Sequence, residues 1–398
     1  MTPRSRWIAF AVSTPLVLLV AVGGLLGART PTGPPQKAVP HLRVFEDVVS
    51  LIMSSYVEDA DPDKVMDGAM RGLIDSLDPM SAYLSADEVS LAKANAAPPA
   101  GDVGLVVSRQ FYLRIVGVRD GSPAARAGLR TNDFIRAIDN RPTREVSAFT
   151  GARLLRGAPG STVGLTVLRG NAAEPHVVTL VREELTGPSV TTVRLPSGVA
   201  LVRVASFGEG TATALGAAAD TLQDAGVSGL VIDVRGTADG PIDEGIAAAR
   251  LFVKTGTLAT RVERDQAEMK TAASSGDGRI TLPAVLLVSN GTAGAAEVFA
   301  AALNDNGRGD LVGEPTAGLA AAQRLVVLAE ERGLWMTYAR YLDGEGESIH
   351  GRGLRPDLAV ESPNVAFDAT PPDTDDMLAK AVERLTSGKT PQDPSTIP

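Results

Sequence analysis

The chain has 398 residues, 44% hydrophobic and 21% charged, with 38 basic against 47 acidic side chains and a net charge of −9, which suits two or three ordinary cores. The acidic balance and the lack of any Lys/Arg-rich block leave no electrostatic footprint for nucleic acid. The absence of cysteine excludes thiol nucleophiles, disulfides and thiolate metal sites, and three scattered histidines, His41, His176 and His350, argue against a metal, so hydroxyl chemistry, carboxylate chemistry or binding survive with no cofactor implied.

Trp7 to Ala28 is a run of 22 uncharged residues behind Arg4 and Arg6, long enough to span a ~30 Å hydrocarbon core. The positive flank keeps the amino terminus in the cytoplasm and exports the rest. No clean A-x-A site precedes Arg29, which favours an uncleaved anchor over a signal peptide. Residues 1–29 are therefore predicted to be a single-pass signal anchor in a bacterial inner membrane, with the bulk of the chain on the periplasmic side, and the Pro-rich 30–40 stretch a linker.

The 41–95 region is predicted helical. Val44, Phe45, Val48, Leu51 and Ile52 form one apolar stripe, and Val65, Met66, Met70, Leu73 and Ile74 a second, both read as core packing. Ser85 with Asp87 and Glu88 opens a third helix. Ala96 to Gly101, AAPPAG, marks a boundary. From 101 to 184, short strands at Phe111 to Val118, Asp133 to Asp139, Val163 to Arg169 and His176 to Arg182 surround a helix at Val146 to Arg156.

The pieces Gly104-Leu105-Val106-Val107, Asp120-Gly121-Ser122-Pro123-Ala124, Ala127-Gly128-Leu129, Asn132-Asp133-Phe134-Ile135 and Leu155-Arg156-Gly157 follow one another in an order that resembles a PDZ domain. Physically, Gly104 frees the backbone to bend, so that amides after Asp102 can cradle a peptide carboxylate while the next strand edge pairs with the peptide. Gly104, Leu105, Val106 and Val107 are thus the predicted peptide-binding residues.

From 186 to 362 strands alternate with helices, which argues for an α/β layer. Val199 to Val204, Gly229 to Val234 and Leu282 to Ser289 read as strands. Helices are expected at Gly208 to Asp224, Asp243 to Val253 and Ala293 to Asn306. Residues 371–398 hold one helix around Met377 to Leu385 and a polar tail. The fold class is α/β, multidomain.

Ser76 to Ser85 (SLDPMSAYLS), Ser206-Phe207, Gly229 to Arg235 (GLVIDVR), Gly313-Glu314-Pro315-Thr316, and Ala339-Arg340-Tyr341 with Gly351 to Asp357 extend the resemblance over His41 to Leu385. The chain is similar to the C-terminal processing peptidases, the tail-specific serine proteases. The resemblance implies a serine nucleophile at the start of a helix, a desolvated lysine as its base, and a glutamine that orients the lysine. Here the nucleophile position falls on Gly294, in Thr292-Ala293-Gly294-Ala295-Ala296-Glu297, and the base position on Leu319. Gln323 retains the orienting glutamine. Asp239 stands in the turn expected to hold the reacting carbonyl oxygen, where a carboxylate pointing inward opposes an oxyanion. Thr292 and Ser289 are the nearest hydroxyls, and no lysine lies between Lys270 and Lys380. His350 is expected to be solvated on a surface turn.

The function these residues imply is a catalytically degenerate peptidase homologue that binds peptide tails or partner proteins in the cell envelope. The rival is an active serine endopeptidase with a non-standard constellation. Pairing with itself or with an active paralogue is the third expectation.

Overall fold

The structure, a computed structural model, describes residues 39–93, 99–170, 174–363, 365–367, 369 and 372–387. The apolar run at 7–28 and the tail from 388 lie outside these. Among the described residues no helix is long and apolar enough to cross a membrane. The chain divides into two compact units between Ala69 and Met70.

The first unit contains helix α1 (Val39–Ser55) and the start of α2 (Pro62–Asp75). The apolar stripe of α1 is not core, contrary to the sequence expectation. Val44, Val48 and Leu51 are 60%, 50% and 64% exposed, because the helix is amphipathic but no apolar layer among the described residues covers that face. On α2, Ile74 is buried while Leu73 is exposed.

In the second unit, β1 (Ala82–Leu84) leads into α3 (Ala86–Lys93). Ser85 and Glu88 close a capping box there, the Ser85 amide donating to Glu88 Oε2 at 2.9 Å and the Glu88 amide to Ser85 Oγ at 3.4 Å. The next module is a sheet in the order β2-β3-β4-β6-β7. Its strands are β2 (Leu105–Gln110), β3 (Tyr112–Val118), β4 (Phe134–Ile138) with its short partner β5 (Arg141–Pro142), β6 (Thr162–Leu168) and β7 (His176–Val181). A short helix α4 (Pro123–Arg126) and α5 (Ala148–Leu155) cover it around Val103, Leu113, Ile115, Ile135 and Leu165. Bridges Gly101–Gly157 and Asp102–Glu183 bring the module's two ends side by side.

A second sheet runs β17-β14-β13-β10-β9-β8. Here β8 is Val190–Arg194, β9 Ala200–Val204, β10 Leu230–Asp233, β13 Ala284–Val288, β14 Gly309–Gly313 and β17 Leu358–Ala359. All pair in parallel except β8, which is antiparallel to β9. Burial on both faces explains the unbroken apolar run AVLLV of β13. Helices α6 (Thr211–Asp224), α7 (Ile242–Ala249) and α8 (Ala295–Asp305) build the main core, in which Phe207, Phe252 and Phe299 pack. The carboxyl-terminal helix α9 (Asp376–Thr386) places Met377 and Ala381 against Val231, Val285 and Val312 of the same sheet.

A third, antiparallel sheet was not visible in the periodicity. It runs β1-β16-β11-β12 with β15 beside β16, where β11 is Thr257–Glu263, β12 Met269–Ala272, β15 Ala321–Val327 and β16 Gly333–Leu342. Ala82 pairs with Trp335 across most of the chain.

Candidate functional site

The carboxyl ends of parallel strands are where α/β sheets place their chemistry, and the turn after β13 illustrates how. The Thr292 amide returns to the Ser289 carbonyl at 2.8 Å, and the Ala293 amide donates to the Thr237 carbonyl at 2.9 Å. Gly294 then caps α8 with φ 58 and ψ −114. This is the strained strand-to-helix geometry with which nucleophile elbows expose a serine. A Cβ built on Gly294 meets nothing within 4 Å. A side chain at this position would project into open space.

Glu297 holds the arrangement together. It is fully buried, and its Oε2 accepts from the Gly294 amide at 3.0 Å and the Leu319 amide at 2.8 Å. Its Oε1 accepts from Thr316 Oγ at 2.5 Å and the Gly318 amide at 2.6 Å. The Gly294 and Leu319 amides therefore meet at one carboxylate oxygen. Burial pushes the Glu297 carboxyl up, and these four donors pull it back toward the ionised form. The Ala317 amide also donates to the Thr292 carbonyl at 2.9 Å, latching the base loop to the nucleophile turn.

The Leu319 side chain is buried with Val116 and Ala293, beside Val106, Met80 and Ala238. Val106 and Val116 belong to the first sheet, so Leu319 packs that module against the turn that carries Ala293. The contact is tight: a Cβ on Gly291 falls 2.7 Å from the Val116 carbonyl oxygen, and one on Gly117 falls 2.8 Å from Ala238 Cβ. Arg203 of β9 adds an ion pair to Asp120 at 2.8 Å.

The neighbouring hydroxyls are occupied. Thr292 Oγ donates to the Val234 carbonyl at 2.9 Å and accepts from the Ser289 amide at 3.0 Å. Ser289 Oγ accepts from the Gly236 and Gly291 amides at 3.2 Å each. Gln323, on β15, donates to Thr337 Oγ at 3.2 Å. His350 is not a solvated surface residue: it is half-buried, and its buried Nδ1 has no partner among the described residues. Burial holds its imidazole below the usual histidine range.

Asp239 lies 3.6 Å from Arg119 Nη1. It lines a cavity of about 220 Å³ together with Gly104, Leu105 and Val106. Burial raises its carboxyl above the ordinary range, against the pull of Arg119. The carboxylate predicted to disturb an oxyanion site thus faces the glycine loop of the neighbouring module. In that loop Gly104 has φ 80 and its missing Cβ makes room for Ser122. Its amide is already bonded to Asp102 Oδ1 at 2.9 Å. Leu105 and Val107 turn into the module core, Val106 toward Leu319. Strand β2 is an edge strand, but the Arg109 amide near its end donates to the Pro79 carbonyl at 3.0 Å.

Residues 198–360 match peptidase family S41, residues 114–169 a PDZ domain, and residues 30–88 the amino-terminal domain of the activating protease CtpB. Carboxy-terminal processing protease CtpA of Bacillus subtilis (strain 168) is 30% identical over 317 residues, covering 79% of this chain and 68% of the relative. The chain belongs to the carboxy-terminal processing proteases of family S41. The carboxyl-terminal-processing protease of Synechocystis sp. is likewise 30% identical, over 80% of this chain and 77% of its own length. Among solved structures, photosystem II D1 C-terminal processing protease superposes with a TM-score of 0.67 at 25% identity, over 88% of this chain and 98% of that one. The α/β multidomain fold and the PDZ domain follow from these likenesses. Glu297 as the hub of the site was missed in the sequence, although a glycine three residues before a buried helical glutamate has capping-box spacing.

Proposed function

We propose that this family member is catalytically degenerate and binds peptide or protein carboxyl termini without cutting them. One observation carries the reading: the two positions that converge on Glu297 Oε2 are Gly294 and Leu319, so the nucleophile has no side chain and the base no nitrogen. The nearest hydroxyls, Thr292 and Ser289, are engaged with backbone groups, and misplacement by ~1 Å already costs ~100-fold. Carboxylate capture is supported by a left-handed Gly104 and an edge strand beside it, with the amides after Gly104 as the donors because its own is bonded to Asp102. The uncharged run at 7–28 behind two arginines supports anchoring in the inner membrane with the PDZ and peptidase-like domains in the envelope.

The test pairs binding with recovery. Tail peptides with free and amidated carboxyl termini are titrated into the purified chain and then recovered for mass spectrometry. The free-carboxyl peptide is expected to bind more tightly and to return uncut. Equal affinity of the two forms, or shortened peptide, contradicts the proposal.

A further inference from the structure

A cleft of about 990 Å³ opens between the PDZ helix α5 and the segment carrying α3. Six arginines line it: Arg71, Arg109, Arg141, Arg144, Arg153 and Arg156. Only three carboxylates do, Asp75, Glu88 and Glu145, so the cleft carries an excess of three positive charges in a chain of net charge −9. Asp75 pairs with Arg109 at 2.9 Å and Glu145 with Arg71 at 4.0 Å, while Glu88 caps α3 and accepts from Thr150. Arg144 lies over the Phe111 ring at 4.4 Å and Arg153 over Phe149 at 5.9 Å. Arg141, Arg144 and Arg153 have no ion pair among the described residues, and Arg141 and Arg144 are exposed.

Arg156 lines both the cleft and the cavity beside Gly104. Its Nε reaches Asp102 Oδ2 at 3.1 Å, and the other oxygen of Asp102 holds the Gly104 amide. A peptide whose carboxylate sits at Leu105 runs along β2 at ~3.3 Å per residue. It must leave the strand before Arg109, whose amide is taken by Pro79, and Arg109 lines the cleft.

We infer that the arginine cleft selects peptides carrying acidic side chains a few residues before a free carboxyl terminus. The inference rests on the peptide-binding reading above and adds the class of sequence recognised. Fluorescence anisotropy with the full-length chain in detergent tests it, using one peptide with three glutamates ahead of three apolar terminal residues, its glutamine counterpart, and the amidated form of each. Exposed charge pairs are worth roughly 1.5- to 5-fold apiece, so the glutamate peptide is expected to bind about tenfold more tightly than the glutamine peptide at low salt. High salt should erase the difference. The triple variant Arg141→Gln/Arg144→Gln/Arg153→Gln should lose the preference and bind the glutamine peptide as the parent does, which also shows that it is folded. Equal affinity of the glutamate and glutamine peptides overturns the inference and leaves the peptide-binding reading standing. Failure of both free-carboxyl peptides to bind overturns that reading and the inference with it. Glutamate binding that ignores amidation, or arginine-dependent capture of phosphatidylglycerol vesicles without a glutamate preference, assigns the cleft to other anions and overturns it too.

Discussion

Gly294→Ala isolates the backbone from the chemistry. At φ 58 and ψ −114 a residue with a Cβ is held outside its favoured basins, at a cost of about 1–3 kcal/mol. The added methyl meets no atom within 4 Å, so neither collision nor packing gain changes that figure. Loss of glycine's freedom in the unfolded chain offsets about 0.4–1 kcal/mol, leaving a net destabilisation of about 1–2 kcal/mol. For domains of this size that is a drop in Tm of about 2–8 °C. Gly294→Ser should fall by the same amount within a few tenths of a kcal/mol, because its hydroxyl enters the same open space. Thermal melts of the parent and the two variants, with peptide affinity as the control for folding, measure this. A Gly294→Ala protein as stable as its parent, or more so, refutes the claim that the turn keeps the strained geometry of a nucleophile elbow.

Glu297→Gln replaces an acceptor of four hydrogen bonds with an amide whose nitrogen faces donors, and should destabilise by about 2–5 kcal/mol in urea titration; a neutral effect dismisses Glu297 as the hub. Asp305, at the end of α8, has its carboxyl pushed up to about 6 by burial, with Asp343 and Glu345 adding repulsion against the bond from the Gly344 amide. Because its folded value lies above the ordinary 3.8, its contribution is fully present in acid and is lost as pH rises through about 6. Asp305→Asn should therefore stabilise the chain at pH 8 by about 1–2 kcal/mol after allowing for its exposure, read as a higher Tm, with a gain that shrinks below pH 6; a pH-independent change rejects the assignment. Asp239→Asn should tighten free-carboxyl peptides several-fold and leave amidated ones unchanged, since Asp239 shares the cavity of Gly104; loss of affinity would place the carboxylate elsewhere.

The centre of the parallel sheet was legible because β10 and β13 are buried on both faces and carry apolar runs, whereas β8 and β17 at its edges are largely exposed and were not. The helix start after β13 was legible as the run Thr292 to Glu297, whereas the four hydrogen bonds that Glu297 accepts depend on the folded chain. The third sheet was not, because β11, β12 and β15 are half-exposed and their pairing depends on contacts as remote as Ala82 with Trp335. The stripe on α1 shows the opposite failure: helical periodicity identifies an apolar face but does not supply the surface that covers it. Leu319 read as a missing lysine, yet its packing against Val106 and Val116 of the PDZ domain depends on tertiary contacts no local pattern encodes. The arginine cleft was invisible for the same reason, since its six arginines are spread from Arg71 to Arg156 and gather only in the folded chain.

The central claim is that the site keeps its frame and lacks its chemistry. Incubating an unfolded substrate protein with the purified chain, beside the Gly294→Ser/Leu319→Lys double variant, tests it most directly. The unmodified chain is expected to give no cleavage above a blank preparation. The double variant places a hydroxyl in the open elbow and a desolvated amine, its pKa lowered by the apolar cluster, at the loop that meets it on Glu297. It is expected to cut, slowly. Turnover by the unmodified chain that persists after contaminating proteases are removed would contradict the account.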